Sequence, residues 1–555
     1  MPIELLDLVA IGTIADLVSL TDENRTFVKM GLQMIQTGDR IGLDVLLQEA
    51  GVKKEAVSEE SIGFTIGPRL NALGRLGEAA PGVELMTTFD EEQALEIAKY
   101  IDQQNNERKD IVTTIAKEAL DLIDPNAPVH ILAKQGWHEG VLGIVAGRIM
   151  QETGKPTIIL AIDESGTTAK GSGRSISALN LYEALNEVRE QFTHFGGHHM
   201  AAGMTLPVEN IPFVQEHLVH FIEKNQIDMA NGQELLISES LAVSQATTAF
   251  IDQLRILAPF GTDNTVPTFV FKEITPTQIR QIGADNAHLK FQMNQEGAQL
   301  DAIAFQMGPQ ADELAQGTAD VAGQLSINEW NGRKKPQLMV TDFAVSGRQL
   351  FDFRGKNNQT KPIPSEATAY LLFDEKNQKF ISDPTANIIV WSNQEELVEA
   401  VSQNQIEQLV FVDCPVEAIT VKEIVEATEI QRIYMMFISP EEAYLNGMAS
   451  REQFATLYKF ILQQKEVNLR SQLSKVANYL NIQEKLLIFM IQVFFDLGFV
   501  TIESGVLNSI EKPDNRPLTE SQVYQQRLKK IKTEEFLLYS DCQTIQQWLW
   551  NEEDK

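Results

Sequence analysis

The spacing of apolar residues changes period along this 555-residue chain, and each change narrows what that stretch can fold into. From Val129 to about Ile227, short β-branched runs alternate with helical spacing. A strand is predicted at 129–133, a helix at 141–150, a strand at 157–162, a turn-rich stretch at 166–177 and a helix from Leu179. Such alternation predicts a small α/β domain. Between Leu235 and Val345 the period falls to two: Val266, Thr268 and Val270; Leu289, Phe291 and Met293; Ile303, Phe305 and Met307; Val321, Gly323, Leu325 and Ile327. Short strands between Gly, Asn and Pro turns predict a small barrel, of the oligonucleotide-binding type.

The flanks follow the same logic. Residues 5–16 are almost continuously apolar and predict a strand buried on both faces, with Asp16 near its carboxyl end and a covering helix over 24–35. Asp90, with Gln93 three residues on, predicts a capping box. The helix it opens runs through Ile101, loses its period between Gln103 and Asp110 and resumes at Ile111, as a connector exposed in its middle would. The stretch 355–365 reads as a linker, followed by strands at 388–391 and 409–412. Helices at 453–463, 469–480 and 483–497 and a hairpin over 499–510 give a winged-helix order.

Forty-six basic against 77 acidic residues give a net charge of -31, which argues against wholesale polyanion binding and leaves room for a local basic site. Between Lys134 and Thr205 six basic residues face seven acids, so that stretch is near neutral. Two cysteines, Cys414 and Cys542, supply neither a disulfide framework nor a four-cysteine zinc site. No apolar run reaches the ~20 residues of a membrane span. With Glu4 and Asp7 near the front and no secretion signal, a cytoplasmic protein is expected.

Four glycine-punctuated patches carry candidate chemistry. In Gly12-Thr13-Ile14-Ala15-Asp16 the carboxylate suits a divalent metal or, as plainly, a turn cap. In 67–76, Arg69 and Arg75 flank Asn71, and guanidinium forks suit phosphate oxygens. The segment 137–148 joins a turn with His138 to a helix bearing Arg148; its glycines also suit close helix packing. The fourth patch is split between Gly171-Ser172-Gly173-Arg174-Ser175 and 195–203, where Gly196 and Gly197 precede His198, and reads as two glycine-rich turns offering backbone donors. Neither a zinc-binding His pair, a serine-hydrolase elbow nor a Gly-Lys-Thr phosphate loop is present in the sequence.

Taken in order, LDLVAIGTIADLVSLTDENR, IGPRLNALGRL, WHEGVLGIVAGR, GSGRS and FGGHHMAAG resemble the RecJ single-strand-specific exonucleases of the DHH phosphoesterase superfamily. The likeness is close over residues 1–345 and looser beyond, where the chain is similar to the extra region of Gram-positive members. It implies a multidomain α/β protein: the end of a DHH domain at 1–45, a connector with a long helix at 46–125, a DHHA1 domain at 126–228, an oligonucleotide-binding-like barrel at 229–347, a small α/β domain at 348–445 and a winged-helix-like region at 446–555. It also implies a 5′-to-3′ single-stranded-DNA exonuclease of DNA repair and recombination using two Mn²⁺ or Mg²⁺ ions. A single-strand-binding protein or a helicase would be a protein partner. By resemblance Asp16 is a metal ligand; Arg69, Asn71, Arg75, His138, Arg148, Ser172, Arg174, Gly196 and Gly197 contact substrate; His198 sits near the scissile phosphate as a catalytic group.

The sequence departs from the family pattern in one respect. The Asp-x-Asp pair and the Asp-His-His triplet are absent, and one aspartate cannot hold two oxygen-seeking cations. The chain therefore reads as the C-terminal portion of such an enzyme, entered in mid-domain, which binds single strands and cuts them poorly. A non-catalytic interaction module and a small-nucleotide phosphodiesterase are the alternative readings. Trp137, Phe195 and Trp330 are candidate base-stacking residues.

Overall fold

The computed structural model describes residues 3–125, 127–227, 229, 234–330, 332–355, 363, 367–383, 386–464, 466–510 and 513–550, with Trp330 as backbone. Its contacts divide it into two compact units, Met1–Val270 with Ala322–Met339 and Phe271–Val321 with Val340–Lys555. Among the described residues no helix is long and apolar enough to cross a membrane.

The front of the chain is helical. The expected strand over 5–16 is instead helix α1 (Leu6–Ala15), with Asp16 as its C-cap. Leu6, Ala10, Ile11 and Ile14 are buried at helical spacing, and α2 (Asp22–Thr37) packs closely enough that a side chain on Gly31 would meet the Leu6 carbonyl. A run apolar on every side does not distinguish strand from helix, and helix packing settled it. After α3 (Ile41–Glu49), a short α4 (Glu59–Ser61) passes through a π-helical turn, Ile62–Ile66, into α5 (Gly67–Leu76). Helix α6 (Ala80–Thr87) leads to α7 (Glu91–Leu120), thirty residues without a break. Asp90 caps α7 by accepting from the Glu92 and Gln93 amides, whereas the Gln93 amide group turns to Glu84, so the reciprocal half of the capping box does not form. The middle of α7 is not uniformly exposed either, since Asn105 there is 1% exposed.

The next domain is a sheet of order β1-β2-β3-β5-β4, formed by β1 (His130–Gln135), β2 (Thr157–Ile162), β3 (Thr168–Arg174), β4 (His194–His198) and β5 (Ala201–Pro207). On one face Ile159 and Ala161 pack against α8 (Leu142–Thr153) and the last turns of α7. On the other, Ile158 and Leu160 pack with α9 (Leu181–Asn186) and α10 (Ile211–Lys224). Both glycine-rich segments expected as turns are strands, β3 and β4, held by antiparallel pairing to β2 and β5.

The barrel region begins with β6 (Glu239–Ser240) and a short α11 (Thr248–Leu254). Its strands are β7 (Thr268–Ile282), β8 (His288–Gln295), β9 (Ala298–Ala304), β10 (Ala319–Trp330) and β11 (Arg333–Val345), with α12 (Ala311–Leu314) before β10. The order β10-β11-β9-β8-β7-β6, with a further β10–β7 pairing, closes five strands on themselves. Leu289, Phe291 and Met293 face inward as expected, but β9 buries Leu300, Ala302 and Ala304 rather than Ile303, Phe305 and Met307. Period two leaves two registers open, and the one that buries a leucine and two alanines is taken.

In the C-terminal region five parallel strands, β12 (Gln349–Asp352), β13 (Thr368–Leu372), β14 (Asn387–Val390), β15 (Gln408–Asp413) and β16 (Arg432–Ile438), are ordered β12-β16-β15-β13-β14, with α13 (Gln394–Gln403) and α14 (Ile419–Thr428) between strands. The expected linker lies mostly outside the described residues. A short α15 (Ala443–Asn446) precedes the winged-helix elements: α16 (Arg451–Gln464), β17 (Glu466–Asn468), α17 (Leu469–Leu480), α18 (Glu484–Asp496), β18 (Val500–Glu503) and β19 (Val506–Ser509). The sequence reading missed β17, three residues that pair with β19. Helices α19 (Gln522–Tyr539) and α20 (Cys542–Trp550) return to the parallel sheet, placing Leu537, Ile545 and Leu549 in its core.

Candidate nucleic-acid interface

Register brings the split glycine patch together. Ser172 on β3 pairs with Gly203 on β5, which pairs with Gly196 on β4; Arg174 pairs with Ala201, which pairs with His198. Opposite residues share a face, so Ser172, Arg174, Gly196 and His198 lie on the α8 side of the sheet. There α8 lies against β2 and β3, while Gly196, Gly197, His198 and Gly203 are exposed. The outcome is a shelf floored by glycine and alanine beside Arg174. A side chain on Gly143 of α8 would sit 2.9 Å from the Arg174 Nη2 and 3.1 Å from the Ser172 hydroxyl, so the bare glycine makes room for that pair.

Arg174 Nη1 donates to the Ser172 hydroxyl at 2.9 Å and to the Gly173 carbonyl at 2.8 Å. Burial, and then the charge of Arg75, hold the Arg174 guanidinium below its ordinary value. Arg108 on α7 is shifted the same way by the same two causes. Arg75 Nη1 in turn donates to the Gly140 carbonyl at 3.1 Å, at a close approach where a side chain on Gly140 would strike the Arg75 carbonyl. The Arg75 charge on α5 is thus felt by both Arg108 on α7 and Arg174 on β3, and none of the three has a carboxylate within ion-pair distance among the described residues.

Two further donors point to what this cluster lacks. Arg108 Nη2 donates to Asn105 Oδ1 at 3.0 Å, yet Arg108 Nε and Asn105 Nδ2 are buried without a partner. Buried donors left unpaired cost about 1 to 3 kcal/mol each. Neighbouring cations without a counter-charge suit a phosphate, which accepts several hydrogen bonds and offsets the repulsion. Sequence reasoning missed Arg108 and Asn105. The visible signal was the polar interruption at 103–110 itself, where Asn105 and Arg108 stand three apart on one helix face.

The other expected site residues are placed as follows. Asn71 and Arg148 are exposed on α5 and α8. His138 turns back to accept from the Gly140 amide at 3.1 Å, which caps the turn before α8. His198 ends β4, exposed, with Nδ1 3.4 Å from the Met200 amide. Arg69 is enclosed and paired with Asp102 rather than free. Asp16 is exposed on α1, and no group of three His, Cys, Asp or Glu side chains among the described residues could hold a metal, so a two-metal centre does not fit them. Trp137 is no stacking platform: it is 6% exposed and donates from its indole to Glu118 at 2.8 Å. Phe195 is stacked between Tyr182 and Phe192 at 5.3 Å from each, and the Trp330 side chain lies outside the described residues.

Comparison with known families fits this architecture. Residues 126–224 match the DHHA1 domain, 237–342 the RecJ OB domain and 349–549 the single-strand DNA-specific exonuclease C-terminal domain. The fold and these matches place the chain among proteins built on a DHHA1 domain. The single-stranded-DNA-specific exonuclease RecJ of Bacillus subtilis is 36% identical over 99% of this chain and 71% of its own length. That of Haemophilus influenzae is 34% identical over 61% of each. The chain belongs to the RecJ family of single-stranded-DNA-specific exonucleases. Crystal structures of Thermus thermophilus RecJ in complex with Mg²⁺ and with Mn²⁺ share the fold, each at TM-score 0.55, with 24% and 23% identity over 88% of this chain and 73% and 69% of theirs.

Proposed function

We propose that this chain grips the phosphate backbone of single-stranded DNA as part of 5′-to-3′ exonuclease action in DNA repair and recombination. The observation that carries the reading is that Arg75 bears on the like charges of Arg108 and Arg174, with no carboxylate at ion-pair distance from any of the three among the described residues. Ser172 holds Arg174 by accepting from it, and a strand leaving the arginines would run over the shelf of Gly196 and His198, with Gly197, Arg148, His138 and Asn71 as further candidate contacts. In the family Mn²⁺ or Mg²⁺ supplies the hydrolytic chemistry; since a two-metal centre does not fit the described residues, no hydrolytic step is assigned to this chain's side chains.

Fluorescence anisotropy with a 5′-phosphorylated oligo-dT tests the reading. Arg108→Ala and Arg174→Ala should each weaken binding about 10-fold or more, the loss expected for a hydrogen bond to a charged group. Unchanged affinity in both would overturn it. The same strand with Mn²⁺ should be bound without nucleotide release; release abolished by Asp16→Ala would show that the chain cuts.

A second reading concerns partners. Helix α18 holds the position of a winged-helix recognition helix, but Phe489 on it is covered by Arg527 of α19 at 4.6 Å. This bears against groove insertion; the alternative, a contact with a single-strand-binding protein or a helicase, is tested by calorimetric titration of either protein. Two free cysteines, one buried, suit a cytoplasmic setting.

A further inference from the structure

We propose that Arg69 is a positioning residue, whose pair with Asp102 ties the helix carrying Arg75 to the helix carrying Arg108, rather than a contact to the DNA strand. The inference rests on the phosphate-gripping reading above. The Arg69 side chain is 14% exposed, and three of its nitrogens are engaged: Nε donates to Asp102 Oδ1 at 3.0 Å, Nη2 makes an ion-pair contact with the same oxygen at 2.9 Å, and Nη1 donates to the Thr65 carbonyl at 2.9 Å. Asp102 is held in turn, since its Oδ2 accepts from Asn106 at 3.1 Å. A fork so occupied has little left for a phosphate unless the pair breaks.

The placement of the pair gives it a task. Arg69 precedes Arg75 by six residues on α5, and Asp102 precedes Arg108 by six on α7, about 9 Å of helix rise in each case. Arg75, Arg108 and Arg174 carry like charges, and without an anion they push their helices and strand apart. One ion pair between α5 and α7, less than two turns back from the arginines, opposes that separation and keeps the arginines together before a strand arrives. Preformed sites bind more tightly because the ordering cost is met in advance.

The test uses the full chain, 5′-phosphorylated oligo-dT and a salt titration. Each phosphate contact adds about 0.7 to the slope of log affinity against log salt for single strands. Arg75→Ala should lose about that much slope. Arg69→Ala and Asp102→Asn should weaken binding roughly 3- to 10-fold with the slope kept, since ordering, not a phosphate contact, is lost. The charge swap Arg69→Asp with Asp102→Arg should recover most of the loss seen in Arg69→Asp alone. A slope loss in Arg69→Ala equal to that of Arg75→Ala, or no recovery in the swap, overturns the inference. Circular dichroism of each variant separates misfolding, and Arg69→Lys, which keeps one bond to Asp102, should fall between wild type and alanine. Wild-type affinity in Arg75→Ala and Arg174→Ala alike would instead remove the phosphate-gripping reading itself, and with it the task assigned to Arg69.

Discussion

Gly140 and Gly143 stand three residues apart and lack side chains for different reasons. At Gly140 an added carbon would lie 2.0 Å from the Arg75 carbonyl, which is backbone and cannot swing aside. Gly140→Ala should therefore cost about 1 to 3 kcal/mol of stability, measured by urea unfolding. At Gly143 the obstacle is the Arg174 guanidinium at 2.9 Å, which can move. Gly143→Ala should unfold near the wild-type midpoint yet bind single strands more weakly, since only the cation is displaced. His130 offers a pH test. Burial, and then the charge of Lys155, hold its imidazole below the ordinary value, and its Nε2 is buried without a partner. The unfolded chain thus takes up a proton that the folded chain refuses, so this residue's share of stability is present at neutral pH and lost as pH falls through about 6.5. The fall in urea midpoint between pH 7.5 and 5.5 should be smaller in His130→Leu than in wild type; an equal fall would refute this.

How far each element was legible in the sequence depended on which forces define it. The β-branched run Thr157–Ile162 and the amphipathic Leu469–Leu480 appear with the bounds their patterns predict, because side-chain burial alone specifies them. Strands β3 and β4 were hidden, since their glycines read as turns; β3 becomes a strand by pairing with its neighbour β2 and with the more distant β5, and β4 by a tight hairpin with β5, backbone bonding that residue type does not announce. Helix α1 was misread for the converse reason, an apolar run with no polar face to reveal its period. The site was half legible: the arginines of glycine-rich patches were visible as candidates, whereas Arg108 and Asn105 were masked inside a lapse of helical period. Trp137 shows the limit of residue type as a guide. It belongs to the core that joins α7 to α8, and its indole and then Lys134 hold the Glu118 carboxyl below the usual range. Trp137→Ala should cost about 3 to 5 kcal/mol by thermal unfolding, in the range of other buried aromatic truncations.

For the whole molecule, a net charge of -31 coexists with three neighbouring arginines that have no carboxylate partner among the described residues. Binding should be confined to a short stretch of strand and steeply salt-dependent. Three phosphate contacts at about 0.7 each give a slope near -2, or roughly a 20-fold loss of affinity between 50 and 200 mM salt. A flat profile would mean the arginines do not meet phosphates. The parallel sheet has a different consequence, which concerns how the protein is made. Its core begins with Leu350 on β12 and is completed by Leu537 of α19 and by Ile545 and Leu549 of α20, almost two hundred residues later. At a ribosome adding about 5 to 20 residues per second, the nascent chain carries that open apolar face for some ten to forty seconds. During synthesis the winged-helix elements emerge within that interval and can close on their own core, while the sheet waits for its last helix.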